Sequence, residues 1–198
     1  MALIGLYLVA AALLVVAGVA KVFRPDDTAR ALGAALPVPG LRAASGPLRW
    51  VVRAVAGVEA ALGVVALVRP GPIPGALVAL SYLTFAGLLV VVRSRGGALA
   101  SCGCFGRPDT PVTAAHVVID VGLGVSAAVV AARVPAGWLF TVLAAQPGGG
   151  IPLLLVSSLV AWLAVLVMDG LARLVAVRRL AGISFDRTSH RASGSGSG

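Results

Sequence analysis

Five stretches of the chain stay predominantly apolar for about the twenty residues that a lipid hydrocarbon core requires: 2–23, 48–68, 74–92, 112–132 and 152–175. Between them lie short segments rich in Pro, Gly and Arg. Arg69-Pro70-Gly71-Pro72-Ile73-Pro74-Gly75 reads as one tight turn and Pro147-Gly148-Gly149-Gly150-Ile151-Pro152 as another. Pro111 and Pro152 suit the first turn of a helix, where the missing N–H leaves no bond unmade. Lipid provides no partners for backbone N–H and C=O groups, so each apolar stretch must close its hydrogen bonds within itself, as a helix does. The pattern predicts an all-α membrane protein of about five transmembrane helices.

Composition agrees with the pattern. Hydrophobic residues are 59% of the chain, charged residues 12%, and the mean hydropathy is +1.02. A soluble domain carries roughly 45–50% apolar and about 25% charged residues, and 198 residues offer no interior large enough to hide the excess. The first segment, Met1 to Phe23, lacks a basic n-region and has spanning length, so it reads as a retained helix and not as a cleaved signal. Residues 1–180 are expected to form a single transmembrane domain and 181–192 a cytoplasmic tail, with 193–198, Ser-Gly-Ser-Gly-Ser-Gly, an appended linker.

The net charge of +9 narrows the partners. In a soluble chain it would point to nucleic acid. Here the basic residues lie almost entirely between and after the apolar runs, and aromatics are only 5% of the chain, so no nucleic-acid partner is expected. The partner these charges fit is the lipid bilayer. The first, third and last connections hold fourteen Lys and Arg against two, Arg69 and Arg133, on the other side. By the positive-inside rule the N-terminus lies outside, and the C-terminus and the connection at 93–111 lie in the cytoplasm.

That connection holds both cysteines of the chain, in Ser101-Cys102-Gly103-Cys104-Phe105-Gly106. Two thiols one residue apart suggest reversible thiol chemistry or a soft metal ion such as Cu(I). A disulfide across one residue closes a small ring, and distorted disulfides are easier to reduce. Gly103 tolerates the backbone that such closure needs. The plainer alternative is a pair of small, partly buried side chains. Arg107 would lower a thiol pKa by its charge, or simply anchor the interface.

Ionisable side chains inside the spans are functional candidates by default. Glu59 lies eleven residues into the second span, roughly 16 Å deep. His116 and Asp120 are four apart on the fourth and share one helix face. If the second and fourth helices are neighbours, Cys102/Cys104, His116, Asp120 and Glu59 form a column from the interface inward. Along it His116 would accept a thiol proton, Asp120 would orient the imidazole, and Glu59 would be a relay or an interior partner of Lys21, Arg49 or Arg53. The alternative is interhelical hydrogen bonding with no chemistry. Lys21 and Arg24 are expected to snorkel to the interface, Asp169 to pair with Arg173, and Trp50, Trp138 and Trp162 to anchor the interfaces. Ala54, Gly57, Ala61 and Gly63 would let the second helix approach a neighbour closely.

Three segments carry a resemblance: Gly18-Val19-Ala20-Lys21, Gly57-Val58-Glu59-Ala60-Ala61-Leu62-Gly63, and Cys102-Gly103-Cys104-Phe105-Gly106. Over roughly 3–175 the chain resembles the MauE/DoxX group of redox-associated membrane proteins, named for methylamine utilisation and thiosulfate oxidation. The resemblance implies a multi-pass protein of the bacterial plasma (inner) membrane that exchanges electrons between its thiol pair and a thioredoxin-like or other redox partner protein, as a thiol-disulfide oxidoreductase. It also implies a four-helix-bundle core like that of the vitamin K epoxide reductase group, plus one additional helix. That group places a Cys-x-x-Cys pair beside a quinone, the one cofactor suggested. This chain has Cys-x-Cys and no second pair, so its electrons would pass directly to a partner thiol or a bound carrier. Two rival functions are soft-metal handling by both thiolates and a non-catalytic membrane anchor for a soluble oxidoreductase.

Overall fold

A computed structural model of the chain describes residues 2–26, 28–29, 45–94, 114–133, 138–167 and 170. Cys102, Cys104, Arg107, Asp169 and Arg173 lie outside the described residues, as do the tail and the linker. Four long helices come first: α1 (Ala2–Phe23), α2 (Ser45–Val68), α3 (Pro72–Ser94) and α4 (Ala114–Arg133). A short helix follows, α5 (Trp138–Ala144), then a 3-10 turn (Pro147–Gly150) that runs into a last helix, α6, over 151–167. Among the described residues there is no strand, and five helices are long and apolar enough to cross a membrane. The chain is an all-α, multi-pass membrane protein.

The ends of these helices follow from local chemistry. α3 begins at Pro72, earlier than the apolar run suggests, because Pro72 and Pro74 both fall in the first turn, where no N–H has an acceptor within the helix. The ladder then opens with the Gly75 N–H donating to the Gly71 carbonyl at 3.0 Å. The turn into α6 uses Gly148, Gly149 and Gly150 at φ 69°, 62° and 78°, a left-handed run that side-chain-bearing residues rarely adopt. α5 is absent from the hydrophobic reading, since seven residues are too few to show a period.

The four long helices close into a ring. α1 packs along α2, α2 touches α3, α3 packs along α4, and α4 returns to α1. The two extensive seams are α1–α2 and α3–α4, and both are set by glycines facing backbone. A Cβ on Gly18 would stand 2.7 Å from the Ala60 nitrogen and 2.8 Å from the Ala56 carbonyl oxygen. One on Gly63 would stand 2.8 Å from the Ala11 carbonyl oxygen. In the second seam, a Cβ on Gly75 would meet that of Ala131 at 2.9 Å. Small residues replace the missing hydrophobic drive with close contact, as membrane helices require. Of the four small residues expected to face a neighbour on the second helix, Gly63 does so. Ala54, Gly57 and Ala61 are exposed, and Ala56 and Ala60 take their place.

Outward faces are apolar as well: Val58 on α2, Leu80 on α3, Val118 on α4, and Leu155 and Trp162 on α6 are all exposed. In water this would be a large unpartnered surface, whereas here it is the surface that lipid solvates. Trp50 and Trp162 are exposed, as interface anchors should be, but Trp138 is buried. It packs edge-on against Tyr7 with ring centroids 5.9 Å apart, a core contact at the mouth of the bundle.

Candidate functional site

Charged side chains enter the bundle at the end where α1 and α3 finish and α2 and α4 begin. Lys21 is the last-turn residue of α1, yet it is only 7% exposed. Side chains on a helix lean toward its N-terminus, so Lys21, near the C-terminal end of α1, leans back into the span. Its ammonium meets the Glu59 carboxylate at 2.8 Å, and both side chains are nearly inaccessible. The snorkelling expected of Lys21 does not occur. Gly18, one turn earlier, brings the α1 and α2 backbones close enough for the short reach to Glu59.

The same ammonium lies 4.4 Å from the centre of the Phe85 ring, contributed by α3. A desolvated cation over an aromatic face is held by the ring quadrupole, by about 2 kcal/mol or more where water is excluded. From α4 comes Asp120, buried, with the charge of Lys21 acting on it. His116, one turn nearer the start of α4, is buried too. Four helices thus each contribute to one cluster: Lys21, Glu59, Phe85, and the pair His116 and Asp120.

The geometry changes the expected column. α2 and α4 stand at opposite corners of the ring, with α1 between them, so Glu59 and Asp120 are not neighbours. Lys21 spans the gap instead. Of the three partners the sequence offered for Glu59, it is Lys21 that pairs with it, although Lys21 was also expected to snorkel. Phe85 had no signal in the sequence.

The end of this cluster is also the end at which residues 95–113 leave α3 and rejoin α4. Cys102 and Cys104 belong to that connection but lie outside the described residues. Around the cluster, Arg53 donates from Nε to the Val22 carbonyl at 3.2 Å and closes one of the open acceptors at the end of α1. Arg49 pairs with Asp26 at 2.8 Å on the exposed surface, an interaction worth about 0–1 kcal/mol. Neither Arg49 nor Arg53 is the partner of Glu59.

At the other end the buried polar groups among the described residues are neutral. The Tyr7 hydroxyl donates to the Ala66 carbonyl at 3.1 Å. An apolar groove of about 470 Å³ runs between the α2–α3 turn and α5, lined by Val68, Arg69, Pro70, Ile73 and Phe140 among others. A quinone would need donors for its carbonyl oxygens beside the redox pair. The ammonium in the cluster is already held by Glu59 and Phe85, and Arg69 borders the groove at the opposite end. The groove thus lies at the bundle end opposite Lys21 and Glu59, and no step is routed through a quinone.

No curated protein and no solved structure matches the chain. A family model does: the one described as methylamine utilisation protein MauE matches residues 1–133, the stretch that ends with α4 and holds every residue of the cluster. With two thirds of its length matched, including all four helices of the ring, the chain belongs to the MauE family.

Proposed function

We propose that the protein is a membrane thiol-disulfide redox protein of the bacterial inner membrane, with Cys102 and Cys104 as the exchanging pair. In this reading the dithiol meets a disulfide of a redox partner, thioredoxin-like or otherwise. One thiolate attacks a partner sulfur and forms a mixed disulfide, and the second then displaces the partner's remaining sulfur. The products are a Cys102–Cys104 disulfide and two partner thiols, so two electrons and two protons have moved to the partner. The reverse direction is the same chemistry. His116 takes the proton of the attacking thiol and returns it to the leaving thiolate, with Asp120 one turn deeper as the carboxyl group that orients the imidazole.

One observation carries the proposal: a buried, charged cluster sits at the bundle end from which the cysteine-bearing connection leaves and to which it returns. Buried ionisable groups in a membrane are expensive, and structure alone rarely retains them. Membership of a family described by methylamine utilisation is compatible with redox service to a partner protein.

The test is thiol labelling in intact cells with membrane-permeant and impermeant maleimides, with and without prior reduction. Labelling of Cys102 and Cys104 only after reduction supports the exchange, and access by the impermeant reagent reports which side they face. The charge bias predicts the cytoplasmic side. One of the variants Cys102→Ser and Cys104→Ser, the one that lacks the resolving thiol and keeps the attacking one, should trap the mixed disulfide with the partner. Free labelling without reduction, lost when copper is added, would replace redox exchange with soft-metal handling. A Cys102→Ser/Cys104→Ser double variant that still supports the partner's activity would leave only an anchoring role.

A further inference from the structure

The helix that carries Lys21 packs between the helices that carry two buried carboxyl groups, Glu59 and Asp120, and the two are not equivalent. Glu59 is in direct contact with Lys21 at 2.8 Å, and together they form a neutral pair closed over by Phe85. Asp120, on the adjoining helix α4, is buried and makes no ion pair among the described residues. If Asp120 were also ionised, with a neutral imidazole at His116, the cluster would hold one uncompensated negative charge in a region without water. Such a charge is avoided by binding a proton.

We infer that Asp120, and not Glu59, carries the exchangeable proton of the cluster, and that Lys21 is the positioning residue that locks Glu59 out of proton exchange. This inference deepens the proposed thiol chemistry and rests on it for its purpose: the proton that His116 returns to a leaving thiolate is held one turn deeper, on the same face of α4, and is replaced when a thiol next gives up its own. The helices around Asp120 carry the following charged and titratable groups. α1 contributes Lys21, and Glu59 of α2 lies beyond it. α3 contributes Tyr82, whose hydroxyl donates to the Ala10 carbonyl at 2.8 Å, and Arg93 in its last turn. α4 itself carries His116, and Arg133 at its far end. Residues 151–167 of α6 include no titratable side chain. Among all of these, His116 is the proton donor and acceptor that shares Asp120's helix face, four residues away.

The experiment is an infrared pH titration of the full-length protein in detergent, following the protonated-carboxyl stretch. It reads the proton directly and does not depend on the cysteines, so a failure of redox exchange leaves it interpretable. A titrating band is expected in the unmodified protein. It should be abolished in Asp120→Asn, displaced but present in Asp120→Glu, and retained in Lys21→Met/Glu59→Gln, which removes both members of the neutral pair and leaves the charge balance around Asp120 unchanged. A band that survives Asp120→Asn, one that vanishes in Lys21→Met/Glu59→Gln, or no titrating band in the unmodified protein would each overturn the inference.

Discussion

The two ends of the bundle solve the same problem in opposite ways. At the Tyr7 end, buried polar groups are neutral: one tyrosine hydroxyl on a helix carbonyl, one edge-on aromatic pair, and no formal charge in the core. At the Lys21 end, three helices bring a cation, two carboxyl groups and an imidazole into apolar surroundings, and the fourth adds the Phe85 ring. Neutral hydrogen bonds of the first kind hold helices together at little desolvation cost. Charges of the second kind could be replaced by well-packed apolar residues with equal or greater stability. The difference teaches that the Tyr7 end is built for cohesion, while the Lys21 end retains groups that cohesion does not require.

The comparison can be broken or sharpened by substitution, with the largest effect at the charged end. Lys21→Met leaves Glu59 buried and unpaired, and should lower stability by about 3–5 kcal/mol, read as a loss in thermal unfolding in detergent. Adding Glu59→Gln to that variant should recover most of the loss. A double variant no more stable than the single one would show that the pair is not the reason Lys21 matters. At the neutral end, Trp138→Ala should cost about 3 kcal/mol through the cavity left beside Tyr7, with no change in thiol exchange.

Smaller effects test the seams. Gly18→Val drives a side chain into the α2 backbone and should cost about 1–3 kcal/mol, and it should also loosen Lys21 from Glu59. Gly57→Ala, two residues before Glu59 with nothing within 4 Å of the added carbon, should stay within about 0.5 kcal/mol of the unmodified protein. An equal loss in both would refute the assignment of Gly18 to the seam. The smallest effect is expected of Tyr82→Phe, which removes one buried hydroxyl contact and should cost about 1 kcal/mol in the same unfolding assay.

Much of the site could be read from the residues. Glu59, His116 and Asp120 stood out as ionisable groups inside apolar runs, and all three are buried. Lys21 carried two readings, an interior partner for Glu59 and a snorkelling charge, because a Lys at the end of a span has an easy path to water. What reversed that path was the approach of α1 to α2 at Gly18, together with the backward lean of a side chain near a helix C-terminus. Phe85 carried no signal at all, since an aromatic in an apolar helix is ordinary until a cation is placed over it.

The number and type of the long helices were determined by the sequence alone, because lipid permits few alternatives to a helix for a twenty-residue apolar run. The order of those helices around the ring was not. Ala, Val, Leu and Gly line every face of α1 to α4, so no amphipathic stripe marks which side meets which neighbour. Only the tertiary structure decided that α1 stands between α2 and α4, and therefore that Glu59 and Asp120 face one lysine from opposite corners instead of each other. The physical reason is that backbone contact at a few glycines, and not hydrophobic periodicity, chooses the partners of a helix in lipid.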